Sequence, residues 1–309
     1  MLECSLASDL ECSYSYDKFG YYTCMTMNLK LEKVNALIES VKGQHMPGKE
    51  QIDVNGMMAV RSNNKYFSSD IFKKFPSLKV LSLMYYSVES IEQGNFEGAH
   101  NLEYIYIHNN DLGELTDNIF SGASKLVRLE MKSNSIISLS NETFAGLTSL
   151  EFLNLDHNQL KSLPMGIFDD LINLKQISLE GNILENVNGD LFKYNLKLTQ
   201  LSLSNNHLSV IGSNLLTNLN DLESAHFYHN PCISTSLFES EFVSVLVEKI
   251  AKCTESNKPE QRLIKAQNQE RKTMKLNLEM NRESEELNKK LTKCENHSQK
   301  SNFAYKCFH

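Results

Sequence analysis

The sequence predicts an α/β repeat fold. Its form is a horseshoe-shaped solenoid with a parallel β-sheet on the concave side, a cysteine-stapled cap at each end and a C-terminal helix. Three observations carry this. Leu78, Leu102, Leu126, Leu150, Leu174, Leu198 and Leu222 recur at an unbroken spacing of 24 residues. Each opens the same frame, apolar at positions 1, 4 and 6, Asn at 9, apolar at 11 and 14, and usually Phe at 19. Finally, all seven cysteines lie outside the regular coils, at Cys4, Cys12, Cys24, Cys232, Cys253, Cys294 and Cys307.

A period of about 20–29 residues with the pattern L-x-x-L-x-L-x-x-N-x-L is the leucine-rich-repeat signature. Residues 1–53 form the expected N-terminal cap, in which Cys12 and Cys24 flank a segment rich in tyrosine (Tyr14, Tyr16, Tyr21, Tyr22). Residues 54–230 hold the repeats. Val54, Met57, Ala59, Phe67 and Phe72 fit a degenerate first coil with Ser62 in place of Asn, and seven full coils follow, the first with Tyr86 at the Asn position. Within a coil, positions 4 and 6 alternate with polar neighbours, which specifies a short strand with one buried face. Stacking merges the apolar residues of successive coils into one core.

Asn110, Asn134, Asn158, Asn182, Asn206 and Asn230 fall where the chain must turn after the strand. A buried amide there is expected to bond the backbone of its own coil and of the next one. Phe72, Phe96, Phe120, Phe144, Phe168 and Phe192 should stack as a spine beneath the convex side, with Leu216 replacing Phe in the sixth coil. Residues 231–254 form the second cap, with a helix expected around 236–250. Residues 255–309 form the tail. Its helix begins just after Pro259 and carries Ala266, Thr273, Met280, Leu287 and Cys294 at seven-residue spacing. Glu270, Asn277 and Ser284 make the first half of that seam polar, so it is a short, weak coiled coil.

End-localised cysteines match the stapled caps of an extracellular solenoid. The pairs expected are Cys12 with Cys24 across a hairpin and Cys232 with Cys253 across the cap helix. Cys294 lies close enough to Cys307 to pair locally, or meets its mate in a second chain, and Cys4 is left odd. Two sequons, at Asn141 and Asn296, are glycosylation candidates. Residues 1–10 lack the basic start and apolar stretch of a secretory leader, and no run approaches the roughly 18 apolar residues of a membrane span.

Net charge is −7, from 31 basic and 38 acidic residues. Residues 1–253 hold 19 basic against 30 acidic side chains, and the remainder 12 against 8. An acidic repeat body argues against nucleic-acid binding. No G-x-S-x-G, H-E-x-x-H, P-loop or dinucleotide-binding glycine motif occurs, so neither an enzyme nor a cofactor is expected. No cysteine pair has zinc-ligand spacing, and none of the residues is assigned to a metal.

Since positions 4 and 6 point inward, positions 3, 5 and 7 face out of the concave sheet. The expected partner-binding residues are Met84, Tyr85, Tyr104, Tyr106, His108, Arg128, Glu130, Lys132 and Phe152, with His226 and Tyr228 nearer the second cap. Exposed aromatic clusters mark protein interfaces, and the charged rung of Arg128, Glu130 and Lys132 would set orientation. The expected ligand is therefore a protein on the concave face. The tail helix offers a second contact, with another leucine-rich-repeat chain or with its own copy.

Layout and local sequence resemble secreted leucine-rich-repeat proteins of insects, and the mosquito leucine-rich-repeat immune proteins in particular. The residues that carry this are Cys12 to Cys24 with its Tyr-rich spacer, Gly43-Gln44-His45-Met46-Pro47-Gly48-Lys49, Ile52-Asp53-Val54-Asn55-Gly56, and Phe75-Pro76-Ser77-Leu78. The resemblance implies a secreted, haemolymph-like localisation, disulfide-linked complexes through C-terminal coiled coils, and capture of complement-like thioester proteins in innate immunity. This chain departs in its shorter tail helix and in having Cys232 where the family's cap has Trp. An extracellular adhesive or matrix protein, a soluble receptor-like binder, and a cytosolic scaffold use the same frame. Stable disulfides separate the last from the others.

Overall fold

A computed structural model describes residues 8–27, 36–60, 65–85, 87–238 and 243–254. The chain divides into two units, Met1–Thr254 and Glu255–His309, and every described residue belongs to the first. Cys4, Ser62, Tyr86, Asn296, Cys294, Cys307 and the whole expected tail helix lie outside the described residues.

One 11-stranded sheet organises the first unit. Its middle strands are Gly56–Val60, Val80–Met84, Tyr104–Tyr106, Arg128–Glu130, Phe152–Asn154, Gln176–Ser178, Gln200–Ser202 and Ser224–His226, all parallel and in register one coil apart. Each three-residue strand buries only its central residue, as the period-two reading requires.

Both edges of this parallel array are closed by a reversal of direction. At the first, Tyr22–Thr26 extends the array in parallel and Ser13–Tyr16 pairs with it antiparallel. At the second, Ser236–Phe238 lies antiparallel on Ser224–His226. The cap helix expected at 236–250 therefore begins later, at Val243–Ala251. An unpaired strand edge presents unsatisfied N–H and C=O groups, and the added strand satisfies them before the helix starts. Cys12–Cys24 ties the first pair of edge strands, with Cα atoms 5.0 Å apart, and Cys232–Cys253 joins the last coil to the end of the cap helix, at 5.6 Å.

The six asparagines are all buried and each bridges two coils. Asn158 shows the pattern. Its amide donates to Leu155 O at 2.9 Å and to Met131 O at 3.2 Å, and its Oδ1 accepts from Ile136 N at 3.1 Å. Met131 and Ile136 belong to the preceding coil, so the expectation of bonds to the following coil is corrected. The turn carries the chain back toward the neighbour already laid down, and the carbonyl just past that neighbour's strand is the acceptor.

Position 8, just before each Asn, adopts the left-handed conformation in every full coil, from Tyr85 through Asn109, Ser133, His157, Gly181 and Asn205 to His229. The phenylalanine spine runs beneath the convex side with successive ring centroids 5.2–6.1 Å apart, and Phe67 packs onto its first members. Turns dominate that side, so little space separates the coils there.

Asn158→Ala should cost about 3 kcal/mol, because it strands one buried N–H and weakens two carbonyls' partnerships. Phe168→Ala should cost roughly 3–5 kcal/mol, since the ring is fully buried between two others. Urea unfolding of the two variants checks both figures. A loss below about 1 kcal/mol in either would show that coil stacking does not depend on these ladders.

Candidate functional site

The cap hairpin turns over through Asp17, Lys18, Phe19, Gly20 and Tyr21. Asp17 Oδ1 accepts from the backbone N–H groups of Phe19 and Tyr21, both at 2.9 Å. Asp17 N donates to Tyr21 O at 3.0 Å, and Gly20 supplies the positive φ of +86° that closes the turn. The tip is therefore held by its own hydrogen bonds while Phe19 remains 69% exposed. Along the two strands behind the tip, Tyr14 stacks on His45 with centroids 4.0 Å apart, and the Tyr22 hydroxyl bonds His45 Nδ1 at 3.0 Å.

The hairpin closes on the sheet at Gly56. A Cβ there would stand 2.3 Å from Thr23 Oγ1, so only glycine lets the cap strand settle this close. Between the hairpin tip and the first rungs lies a pocket of about 650 Å³. The hairpin gives it Asp17, Lys18, Phe19 and Tyr21. The sheet gives Met58, then Val80, Ser82 and Met84, then Tyr104, Tyr106 and His108, and last Arg128 and Glu130. A concavity of this size, apolar with a few polar groups, is the usual form of a ligand site.

Two polar atoms in this wall have no hydrogen-bond partner among the described residues, Ser82 Oγ and His108 Nδ1, and both are shielded from solvent. Ser82 as a whole is 3% exposed. Burial holds the His108 imidazole below its ordinary pKa, opposed by Glu130 and assisted by Lys132. Burial likewise raises the phenols of Tyr21 and Tyr106, so both stay neutral in the physiological range. Arg128 Nη1 pairs with Glu130 Oε1 at 3.0 Å, and its guanidinium lies 3.7 Å from the Phe152 ring centroid.

Of the residues expected from sequence, the structure brings Met84, Tyr104, Tyr106, His108, Arg128 and Glu130 into one wall. Phe152 and Lys132 are half-buried and stand outside it. Phe152 is covered by Arg128 and is not the free aromatic surface expected. Tyr85 is 61% exposed at a left-handed corner beside the pocket. His226 and Tyr228 share a strand and its turn four rungs from Arg128, roughly 19 Å at the spacing of strands in a sheet, and so do not join the pocket. Asn141 is exposed, while Thr143 of the same sequon is buried and donates to Leu115 O at 3.0 Å.

The expected binding residues leave out the hairpin tip and Met58, and also Val80 and Ser82, whose positions in the frame already place them on the concave face. The Asp-Lys-Phe-Gly turn inside the Cys12–Cys24 loop was the available signal for an aromatic held out on a hairpin. Among the described residues no cluster of His, Cys, Asp or Glu could hold a metal, and no helix is long and apolar enough to cross a membrane.

The family described as leucine rich repeat matches residues 100–160 and 153–208. Of the solved structures, the TLR13-ssRNA13 complex is similar, with 23% identity and a TM-score of 0.55. The match covers 58% of this chain and 25% of the TLR13 chain, so this protein spans a quarter of that one's length. No match is found among curated proteins. Together with the repeat geometry, these likenesses make the fold a leucine-rich-repeat solenoid.

Two outcomes follow from the site. An L-residue in the left-handed region pays about 1–2 kcal/mol, which Asn largely avoids, so Tyr85→Asn should stabilise the fold by about 1 kcal/mol in urea unfolding. Destabilisation would mean that Tyr85 packs more than its exposure indicates. His108 is harder to protonate folded than unfolded, so the unfolded chain binds more protons just below the ordinary imidazole value of about 6.5. Stability should therefore fall as pH drops through that value and hold level above it. His108→Gln should flatten part of this fall, measured as Tm against pH; an unchanged profile would rule out the shift.

Proposed function

We propose that this protein is a secreted, non-enzymatic recognition protein that binds another protein through the N-terminal half of its concave face, in innate immunity. The observation that carries the reading is the pocket under the cap hairpin. It gathers Phe19, Tyr21, Tyr104 and Tyr106 in one recess. Large aromatics around a recess are the anchors of protein interfaces.

Secretion is supported by the bridged cysteines at both ends, since such bridges persist in oxidising compartments. The immune assignment is supported by the resemblance of the cap and first coils to the mosquito immune proteins. The fold neighbour is a complex with ssRNA13, which raises RNA as a ligand for this chain too. Charge favours a protein instead. Nucleic-acid affinity is dominated by neutralised phosphates, whereas this repeat body is acidic and its pocket holds Lys18 and Arg128 against Asp17 and Glu130. The surrounding adhesive or receptor-like readings use the same face and differ in the partner.

The test is retention of proteins from the source's extracellular fluid on the immobilised chain, followed by titration of the retained partner. Tyr104→Ala combined with Tyr106→Ala should weaken that affinity at least tenfold, with circular dichroism and Tm confirming an intact fold. Equal affinity in the folded variant would remove the concave patch from the interface.

A further inference from the structure

We infer that Asn141 carries an N-linked oligosaccharide, attached before its coil folds, and that this glycan covers the exposed side chain of Met165. This rests on the secretion reading above, because the transfer takes place in the secretory path.

Asn141-Glu142-Thr143 lies just past the short strand Ser138–Leu139, which pairs with Glu114–Leu115 in a sheet separate from the concave one. Around Asn141 the chain is tied down. Ser140 N donates to Leu115 O at 2.9 Å and to Thr143 Oγ1 at 3.0 Å. Glu142 N donates to Asp117 Oδ1 at 3.2 Å. The Glu142 carbonyl accepts from Asn118 N at 3.0 Å, and its carboxylate accepts from Asn118 Nδ2 at 3.0 Å. The Thr143 hydroxyl is fully buried and donates to Leu115 O at 3.0 Å. Asn141 is exposed, and its side chain has no hydrogen bond among the described residues. Its amide can therefore carry a bulky group with no loss of packing, as a surface acceptor requires.

The step is a glycosyl transfer. Asn141 Nδ2 bonds to the anomeric carbon of an oligosaccharide held on a lipid diphosphate. The bond from that carbon to the phosphate oxygen breaks, the lipid diphosphate leaves, and the amide proton passes to a base of the transferase. Recognition of the acceptor also needs the hydroxyl two residues on. In the folded chain that hydroxyl is sealed between Ser140 N and Leu115 O, and Ser140 and Glu142 are both bonded to the preceding coil. The transfer therefore precedes docking of this coil on the one before it.

Met165 occupies the same frame position one coil further on and is 74% exposed. The coils are close there: the rings of Phe144 and Phe168, three residues along each coil, have centroids 6.1 Å apart. A sugar on Asn141 lays its C–H face over the thioether and removes apolar surface from water. The glycan stands on a different sheet from the pocket, so the concave face stays open.

The experiment uses the full chain, routed by a leader into the secretory path of cultured eukaryotic cells. N-glycosidase in heavy-oxygen water converts the amide of an occupied asparagine to a labelled carboxyl, which peptide mass spectrometry locates. Asn141 should be labelled, and the Asn141→Gln variant should be secreted and folded without that glycan. Peroxide should oxidise Met165 at least threefold faster once the glycan is removed, with Met25, also exposed, unchanged as the control. A bare chain offered the lipid-linked oligosaccharide and the transferase should accept it at Asn141 at least tenfold better when reduced, alkylated and unfolded than when folded.

Unlabelled Asn141 in secreted chain with Cys12–Cys24 and Cys232–Cys253 both formed would overturn the glycan and leave secretion standing. Those four cysteines found free in the secreted chain would overturn secretion, and the glycan with it. Equal acceptance by folded and unfolded chain would overturn the order of events, and equal oxidation rates would overturn the cover over Met165.

Discussion

Everything in this structure depends on one repeated bond set, the buried asparagine amide that links each turn to the coil before it. In Asn134, Asn158, Asn182, Asn206 and Asn230 the amide nitrogen reaches a carbonyl 27 residues back and a second one within its own turn. The amide oxygen accepts a backbone N–H 22 residues back. A chain that gained or lost one residue per coil could not make both bonds, and a buried amide with one end unmet is destabilising. The bonds therefore hold the period at 24, and the period holds the strands in register. The sharpness of the turn requires a left-handed residue at position 8, which suits Asn109, His157, Gly181, Asn205 and His229 better than Tyr85 or Ser133.

Strict register turns the concave face into straight rows. Gly56, Val80, Tyr104, Arg128 and Phe152 form one, Met58, Ser82, Tyr106 and Glu130 the next. A site on such a face is built by neighbours in a row, and its composition changes smoothly unless something non-periodic intervenes. The cap hairpin is that intervention. It adds a wall that no repeat can supply and converts a shallow face into a recess.

This explains what was legible in the sequence. Periodicity made the strands, the inward leucines, the phenylalanine spine and the outward positions readable, and with them six of the pocket residues. What depends on contacts between non-equivalent segments was not readable. The Asp17–Tyr21 tip reaches the sheet because Gly56 permits it, a relation across nearly forty residues with no period behind it. Phe152 looked like free aromatic surface because Arg128 sits one coil away in sequence, yet register places the guanidinium directly against the ring. The second cap misled for a similar reason. The apolar run after Cys232 fits a helix, but the open edge at Ser224–His226 claims Ser236–Phe238 as a strand first.

The middle of the face supports placing recognition at the N-terminal end. There Asp156 Oδ1 accepts from Glu180 N at 2.8 Å, while Glu180 accepts from Ser202 Oγ at 3.3 Å and from Asn205 Nδ2 at 3.0 Å. Burial raises the Asp156 carboxyl even though Ser178, Glu180 N–H and Asn154 all stabilise its charged form. These rungs satisfy one another along the rows, so a ligand would have to break existing bonds to gain new ones. At the hairpin end the balance runs the other way. The exposed Phe19 ring and the Met84 thioether line the recess and have no strong hydrogen bond to lose, so a guest forfeits less at that end of the face than in the middle.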